Sequence, residues 1–252
     1  MAGAGRAERP EGKGRDLTVG AAYRHGDWRT GLSFGRHKTE LTIPGATAEI
    51  DREELTFSLG WTDEKWLISG QAGVSRGEAS GRSSDGTIAS YSGDVVSRYL
   101  EVGIGRKLTH GDWSVTPEAW LRWQQAALKD LRYRHGGGTS ASIGRHESEA
   151  GILGFGVDLA YRGWQGEGLN LLPGLRVSYE NVISQSQDDF VFGGLIAGRS
   201  LGGALGGRLK DNVLIEPSMS FDLPGQGRAV LGAWYSSGDK NKGMNLRVSY
   251  RF

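Results

Sequence analysis

Apolar and polar residues alternate along most of this chain. Within 243–252, one face carries Met244, Leu246, Val248, Tyr250 and Phe252, and polar residues fill the other. Period two is typical of a strand with one apolar and one polar face. The pattern predicts eleven strands, at 16–24, 28–35, 54–61, 66–76, 98–108, 113–124, 153–162, 171–180, 213–223, 228–237 and 243–252. Trp120 and Leu214 fall out of phase. No stretch has a convincing helical period, so the chain is predicted to be all-β.

The links between the predicted strands alternate in length. Those at 25–27, 62–65, 109–111 and 224–227 are tight, whereas those near 36–53, 77–97, 125–149 and 181–212 are long and polar. Tight turns at one end and long loops at the other are typical of a transmembrane antiparallel up-and-down outer-membrane β-barrel. We therefore expect the long links to be extracellular and the tight turns and C-terminus to be periplasmic.

Aromatic residues cluster at the strand ends beside the tight turns. A girdle at the membrane interface is predicted for Tyr23, Trp28, Trp61, Trp66, Trp113 and Tyr161. The alternative is that Trp and Tyr are simply favourable strand residues. These residues all lie at the same end of the predicted strands, which favours the girdle.

The polar face carries too many charges for a dry core. The residues predicted to face a lumen include Glu118, Arg122, Asp158, Arg176, Glu180, Glu216 and Arg247. Unpaired buried charges cost several kcal/mol each, whereas a water-filled or partly plugged lumen accommodates them. Arginine is accordingly expected to be costly at Val157, on the lipid face, and mild at Ser178, on the lumen face.

Strand parity bears on how the chain is organised. Bacterial single-chain barrels normally have an even number of strands, so eleven are one short of a twelve-stranded barrel. We expect one outward-running strand before this chain. The alternatives are a missed strand within 183–212 and irregular pairing of residues 1–15. Residues 1–15 are expected to be a flexible N-terminal segment and residues 16–252 the barrel. Residues 1–16 do not read as a secretory signal peptide, and no apolar stretch approaches 18 residues.

Composition excludes several other classes of function. The net charge of +1 gives no support for nucleic-acid binding, and the absence of cysteine excludes disulfides. The five histidines lack metal-ligand spacing, and the glycine-rich stretches are not nucleotide-binding loops. His146, Glu147 and Ser148 are neighbours in sequence, which does not make a catalytic triad. We expect no cofactor, no metal and no enzyme activity.

Five stretches resemble the autotransporter β-domain: 99–108, 113–123, 148–161, 214–221 and 243–252. They combine a proline-containing strand, a glycine-rich lumen face and a closing Tyr-x-Phe. The resemblance implies a monomeric translocator in outer-membrane lipid, linked to an upstream passenger that it anchors and carries to the cell surface. It also implies that Leu246, Val248, Tyr250 and Phe252 form a signal for the barrel-assembly machinery. The alternatives are a small porin or solute channel and, less favoured, an outer-membrane enzyme.

Overall fold

Eleven long strands form one antiparallel sheet. The computed structural model describes residues 11–43, 46–83, 88–135, 140–143, 146–162, 165–166, 169–187, 194–196, 199–201, 211–223, 227–237 and 241–250. The strands are β1 (Glu11–His25), β2 (Trp28–Ile43), β3 (Ala46–Thr62), β4 (Trp66–Ser83), β5 (Ile88–Arg106), β6 (Trp113–His135), β7 (His146–Tyr161), β8 (Leu169–Gln187), β9 (Asn212–Leu223), β10 (Gly227–Ser236) and β11 (Asn241–Tyr250).

Each strand pairs with the next one along the chain, which confirms the predicted up-and-down order. The sheet curls, so it has a concave inner wall and a convex outer wall. Because eleven strands alternate in direction, the edge strands β1 and β11 run the same way. Within 183–212, Gly194–Ile196 pairs with Arg199–Leu201 as a two-stranded sheet separate from the main one.

The tight turns gather at one end of the sheet. Gly26 and Gly111 each open a His-Gly-Asp-Trp turn with a positive φ, of 57° and 56°. Glycine adopts this backbone conformation without steric cost, and it is favoured at this position of two-residue hairpin turns. Backbone hydrogen bonds join neighbouring turns: the Thr62 amide donates to the Asp27 carbonyl at 2.9 Å, and the Arg162 amide to the Asp112 carbonyl at 2.8 Å. The turns predicted at 25–27, 62–65 and 109–111 are therefore confirmed, whereas 224–226 lie outside the described residues.

Asp63 organises the turn between β3 and β4. Its Oδ1 accepts hydrogen bonds from the backbone amides of Trp66, at 2.5 Å, and Lys65, at 2.7 Å. These bonds favour the charged carboxylate and lower the pKa of Asp63, Trp66 contributing most. The turn is thus stabilised most while Asp63 is ionised.

Replacing Asp63 tests this turn. Asp63→Ala removes the acceptor and is expected to lower the urea midpoint of unfolding at pH 7, whereas Asp63→Asn keeps a neutral acceptor and is expected to lower it less. Because the folded pKa is depressed, the wild-type advantage is present above the unfolded value, ~3.9, and is lost as pH falls through the lower folded value. Urea titrations from pH 7 downward measure this. If the difference in urea midpoint between the wild type and Asp63→Asn did not change with pH, the charge of Asp63 would contribute nothing to stability.

The long polar links are where the structure departs most from the sequence prediction. Residues 36–43 and 46–53 continue β2 and β3, and most of 77–97 and much of 125–149 likewise continue the strands on either side. Strands β1 to β6 have 15 to 23 residues, more than the ~9–11 that cross a bilayer. The sheet therefore extends well beyond the membrane at the end opposite the tight turns.

The two faces exchange character in this extension, which explains why it resembled loops. The outer wall becomes charged: Arg36 pairs with Asp51 at 2.7 Å, and Lys38 with Glu49 at 2.8 Å. The inner wall carries buried apolar residues, at Ala48, Ile50, Ala79, Val95 and Leu128, beside the buried polar residues His37 and Arg52. Alternation continues with the pattern of a soluble protein, because here the outer wall faces water instead of lipid.

Between this extension and the tight turns, the outer wall is a continuous apolar belt. Its exposed side chains include Leu32, Phe34, Leu55, Phe57, Ile68, Val74, Leu100, Val102, Ile104, Leu121, Phe155 and Val157. A patch of this size is unfavourable in water and matches the hydrocarbon layer of a membrane. In the described ranges, no helix has the length and apolarity to cross a membrane.

Candidate functional site

The inner wall carries a buried ion-pair network centred on Arg122. Its Nε and Nη2 lie 2.8 and 2.7 Å from Glu101 Oε2, and its Nη2 donates to Glu180 Oε1 at 3.0 Å. The side chains of Arg122, Glu101 and Glu180 are 7%, 16% and 10% exposed, respectively. Glu101 lies on β5, Arg122 on β6 and Glu180 on β8, so the network links strands that are not all neighbours. Arg122 thus bridges two carboxylates that lie on different strands.

A second network forms around Arg176 on β8. Its guanidinium pairs with Glu118, lies 3.9 Å from Glu216 and stacks 5.4 Å from the centre of the Trp120 ring. Asp158 is paired in register with Arg176 on the neighbouring strand β7. The two networks together contain five carboxylates and two arginines, so this stretch of the inner wall is acidic.

Trp120 occupies the space that a glycine leaves. It is out of phase with the apolar face because it points to the inner wall, where it is 5% exposed. Its indole covers Gly154, the cross-strand partner on β7, so closely that a Cβ at Gly154 would overlap the ring. Gly154 therefore opens no lumenal space, because the Trp120 ring fills it. Leu214, the other exception, is also buried on this wall.

Adding a methyl group at Gly154 tests this packing. Gly154→Ala is expected to destabilise the barrel by about 1–3 kcal/mol, since Trp120 must leave its position. Gly60→Ala is the matched control on the same wall, because a Cβ there would meet nothing closer than the Ile68 carbonyl at 3.8 Å. Urea unfolding in lipid compares the two, and equal effects would mean that the Trp120 contact is unimportant. A double-mutant cycle isolates the contact. In a protein that already carries Trp120→Ala, Gly154→Ala should cost little, because the ring that it would displace is gone.

A third polar cluster joins β1, β2, β3 and β5, and sequence reasoning missed most of it. His37 Nδ1 lies 2.9 Å from Asp16 Oδ1, and His37 Nε2 lies 3.8 Å from Glu54 Oε2. Thr56 donates to Glu54 at 2.9 Å and lies 3.3 Å from the Tyr99 hydroxyl. His37 fell in a segment predicted to be a loop. The period-two spacing of Ile50, Arg52 and Glu54 is the signal that could have found this part of the wall.

The predicted lumen residues can now be placed. Glu118, Arg122, Asp158, Arg176, Glu180 and Glu216 share the inner wall by register. Arg247 is paired with Val230, but its side chain lies outside the described part. Ser178 is only 3% exposed, so we now expect Ser178→Arg to be costly and not mild, because the side chain at this position is already covered.

The predicted girdle residues lie near the tight-turn end. Trp28 and Trp61 are cross-strand partners, Trp113 and Tyr161 have ring centres 4.9 Å apart, and Tyr23 and Trp66 are exposed. Leu246 and Val248 of the predicted assembly signal are exposed. The Tyr250 side chain and Phe252 lie outside the described residues.

Metal binding and catalysis find no support in the described ranges. No group of three or more histidine and acidic side chains there could hold a metal ion. The polar clusters of the inner wall consist of side chains that contact one another, and Ser75 and Ser97 hydrogen-bond to each other at 2.6 Å. Paired side chains of this kind favour a structural lining.

The sequence and the fold both point to one family. The family model described as "Autotransporter beta-domain" matches residues 2–215. The translocator domain of the autotransporter NalP from Neisseria meningitidis is similar in fold, with a TM-score of 0.76 and 14% identity over 96% of this chain and 82% of that one. The β-domain of the Bordetella autotransporter BrkA has a TM-score of 0.69 and 13% identity over 96% and 92% of the two chains. No curated protein sequence matches. The chain belongs to the autotransporter β-domain family, whose outer-membrane barrels carry a linked passenger across the membrane.

Proposed function

We propose that the tight-turn end of this barrel faces the periplasm and that the extended end faces the cell exterior. The observation that carries this orientation is the length of β1 to β6 beyond the apolar belt. Charged pairs such as Arg36–Asp51 on the outside of this extension suit a wall surrounded by water. The passenger leaves at this end, and the C-terminus stays in the periplasm.

The acidic inner wall lines the route of the passenger or of the segment that connects it to the barrel. Paired charges such as those of Arg122 and Glu180 present polar groups to a passing chain without offering an apolar surface on which it would stick. The role of this domain is transport, and catalysis, if any, belongs to the passenger.

The barrel acts as a single copy. It starts at Glu11 and not at residue 16, because residues 11–15, which were expected to be a flexible segment, form the first part of β1 and pair with β2. One further outward-running strand between β1 and β11 would pair antiparallel with both edges and close the barrel. The alternative of a small solute channel would use the same wall as a selectivity filter, and no observation favours it over translocation.

Single cysteines test the orientation directly, because the natural chain has none. Glu64→Cys, in a tight turn, and Ser186→Cys, near the end of β8, both place an exposed thiol. In intact cells, a membrane-impermeant maleimide is expected to label Ser186→Cys and to spare Glu64→Cys, which should react only after lysis. The reverse pattern would overturn the orientation.

A reporter domain fused ahead of Met1 tests translocation. Protease added to intact cells is expected to digest the reporter while the barrel survives. A reporter that stays protected, on a barrel that is correctly inserted, would contradict transport by this domain and favour a channel.

Deleting Phe252 tests the proposed assembly signal at Leu246, Val248, Tyr250 and Phe252. We expect a lower yield of folded barrel in the outer membrane, because the assembly machinery reads the last strand. The urea stability of purified barrel refolded in lipid should change little. Equal yields with and without Phe252 would contradict the signal.

A further inference from the structure

The outer wall of β5 marks both edges of the apolar belt. Along it, Arg98, Leu100, Val102, Ile104 and Arg106 point outward in turn, and all are exposed. The two arginines are eight residues apart, roughly 26 Å along the strand at ~3.3 Å per residue. With a tilt of ~35–45°, the two arginines are separated by about 18–21 Å along the membrane normal, a little less than the ~25 Å height of an apolar belt. Each arginine therefore lies where hydrocarbon gives way to lipid headgroups.

Arg106 lies against a tryptophan at the tight-turn edge. Its guanidinium carbon is 5.6 Å from the centre of the Trp66 ring, and Trp66 is its cross-strand partner on β4. No carboxylate of the described residues pairs with Arg106. The ring covers one side of the guanidinium, and the Arg106 side chain is exposed on the outer wall.

Arg98 repeats this arrangement at the opposite edge. Its guanidinium carbon is 5.2 Å from the centre of the Trp123 ring, and its Nε donates to the neutral Gln125 side chain at 2.6 Å. The Trp123 indole N–H is held by Glu149 at 2.6 Å, which fixes the ring. Arg98 likewise has no carboxylate partner within the described ranges, and its terminal nitrogens are available for an anion.

The cations farther from the belt behave differently. Arg36 and Lys38, on the outer wall of the extension, each have a carboxylate within 3 Å. An arginine at the hydrocarbon edge without such a partner needs a counter-anion, because water is scarce on its membrane side. A phosphate group suits it well, since the planar guanidinium can bind two of its oxygens at once.

We propose that Trp66–Arg106 and Trp123–Arg98 are two binding sites for the phosphate groups of membrane lipids, one at each boundary of the belt. The tryptophan ring lies among the upper acyl carbons and the arginine holds the phosphate above it. Together the two sites fix the depth of the barrel in the membrane. This inference requires membrane insertion but is independent of which end faces the periplasm.

The test compares lipids with and without phosphate. Purified full-length protein is reconstituted into vesicles of digalactosyldiacylglycerol, which lacks phosphate, and into the same vesicles with added phosphatidylglycerol. The urea midpoint of the wild type is expected to rise with phosphatidylglycerol, and inorganic phosphate added to the neutral vesicles should have no such effect. Arg98→Gln and Arg106→Gln should each lose part of this rise, and the double variant most of it. Arg36→Gln, whose arginine already has Asp51, is the matched control and should keep the full rise.

The outcomes separate the possibilities. A double variant that responds like the wild type overturns the proposal, and so does an Arg36→Gln variant that loses as much, because the response would then reflect bulk charge. A rise produced equally by inorganic phosphate would also overturn it. If the double variant does not insert, the single variants decide in the same way. Failure of the wild type to insert would instead count against the membrane location.

Discussion

Val157→Arg is expected to destabilise the barrel in lipid by about 2–4 kcal/mol. Val157 lies on the outer wall of β7 between Phe155 and Leu159, within the apolar belt, and is 39% exposed. An arginine at this level must either leave its charge in hydrocarbon or thin the bilayer around it. Urea unfolding of protein refolded into lipid vesicles measures the effect.

The control for Val157→Arg lies on the same strand and the same face. Glu149 is eight residues earlier on β7, at the level where the outer wall turns polar, so Glu149→Arg is expected to cost about 1 kcal/mol or less. It removes only the hydrogen bond from the Trp123 indole. If Glu149→Arg proved the more costly of the two, the assignment of lipid-facing and water-facing regions would be wrong.

Arg122→Met is expected to cost about 3–5 kcal/mol, because it leaves Glu101 and Glu180 buried on the inner wall without their cation. The loss comes from the uncompensated carboxylates and not from the volume of the side chain, since methionine fills similar space. Arg176→Met should cost less, because Arg176 is 27% exposed and water replaces part of its pairing.

A triple variant separates charge from packing. Glu101→Gln, Arg122→Met and Glu180→Gln together remove the network without leaving a charge unpaired, and most of the stability lost in Arg122→Met should return. Urea midpoints of the single and triple variants in the same lipid give the comparison. A triple variant as unstable as the single one would mean that Arg122 acts through its packing.

The extent of the strands was only partly predictable. Each membrane-crossing segment was found because its apolar face alternates with a polar one, and that signal is local. The strand continuations described within 36–53, 77–97 and 125–149 were not predicted, because outward residues such as Arg36 and Asp51 are charged, as they would be in a loop. A rule that tracks period two regardless of which face is apolar would have found His37, Arg52 and Glu54 on one wall.

The partners of the inner-wall charges were beyond sequence reasoning. Arg122 and Glu180 are 58 residues apart and lie on strands with another strand between them. Their contact depends on the register of two strand pairs and on the curvature of the sheet, and neither is encoded in a local pattern. The same holds for Trp120 and Gly154, where an apparent fault in the alternation is an indole packed on a glycine.

The sequence by itself determined the all-β class, the order of the strands, the tight turns and the apolar belt, because side-chain period and turn chemistry act between near neighbours. Only the tertiary structure decided how far the strands extend, which charges neutralise one another, and which arginines on the outer wall have no carboxylate partner. These features depend on residues that are distant in the chain and are brought together by strand register, so the environment of each side chain exists only once the sheet has curled.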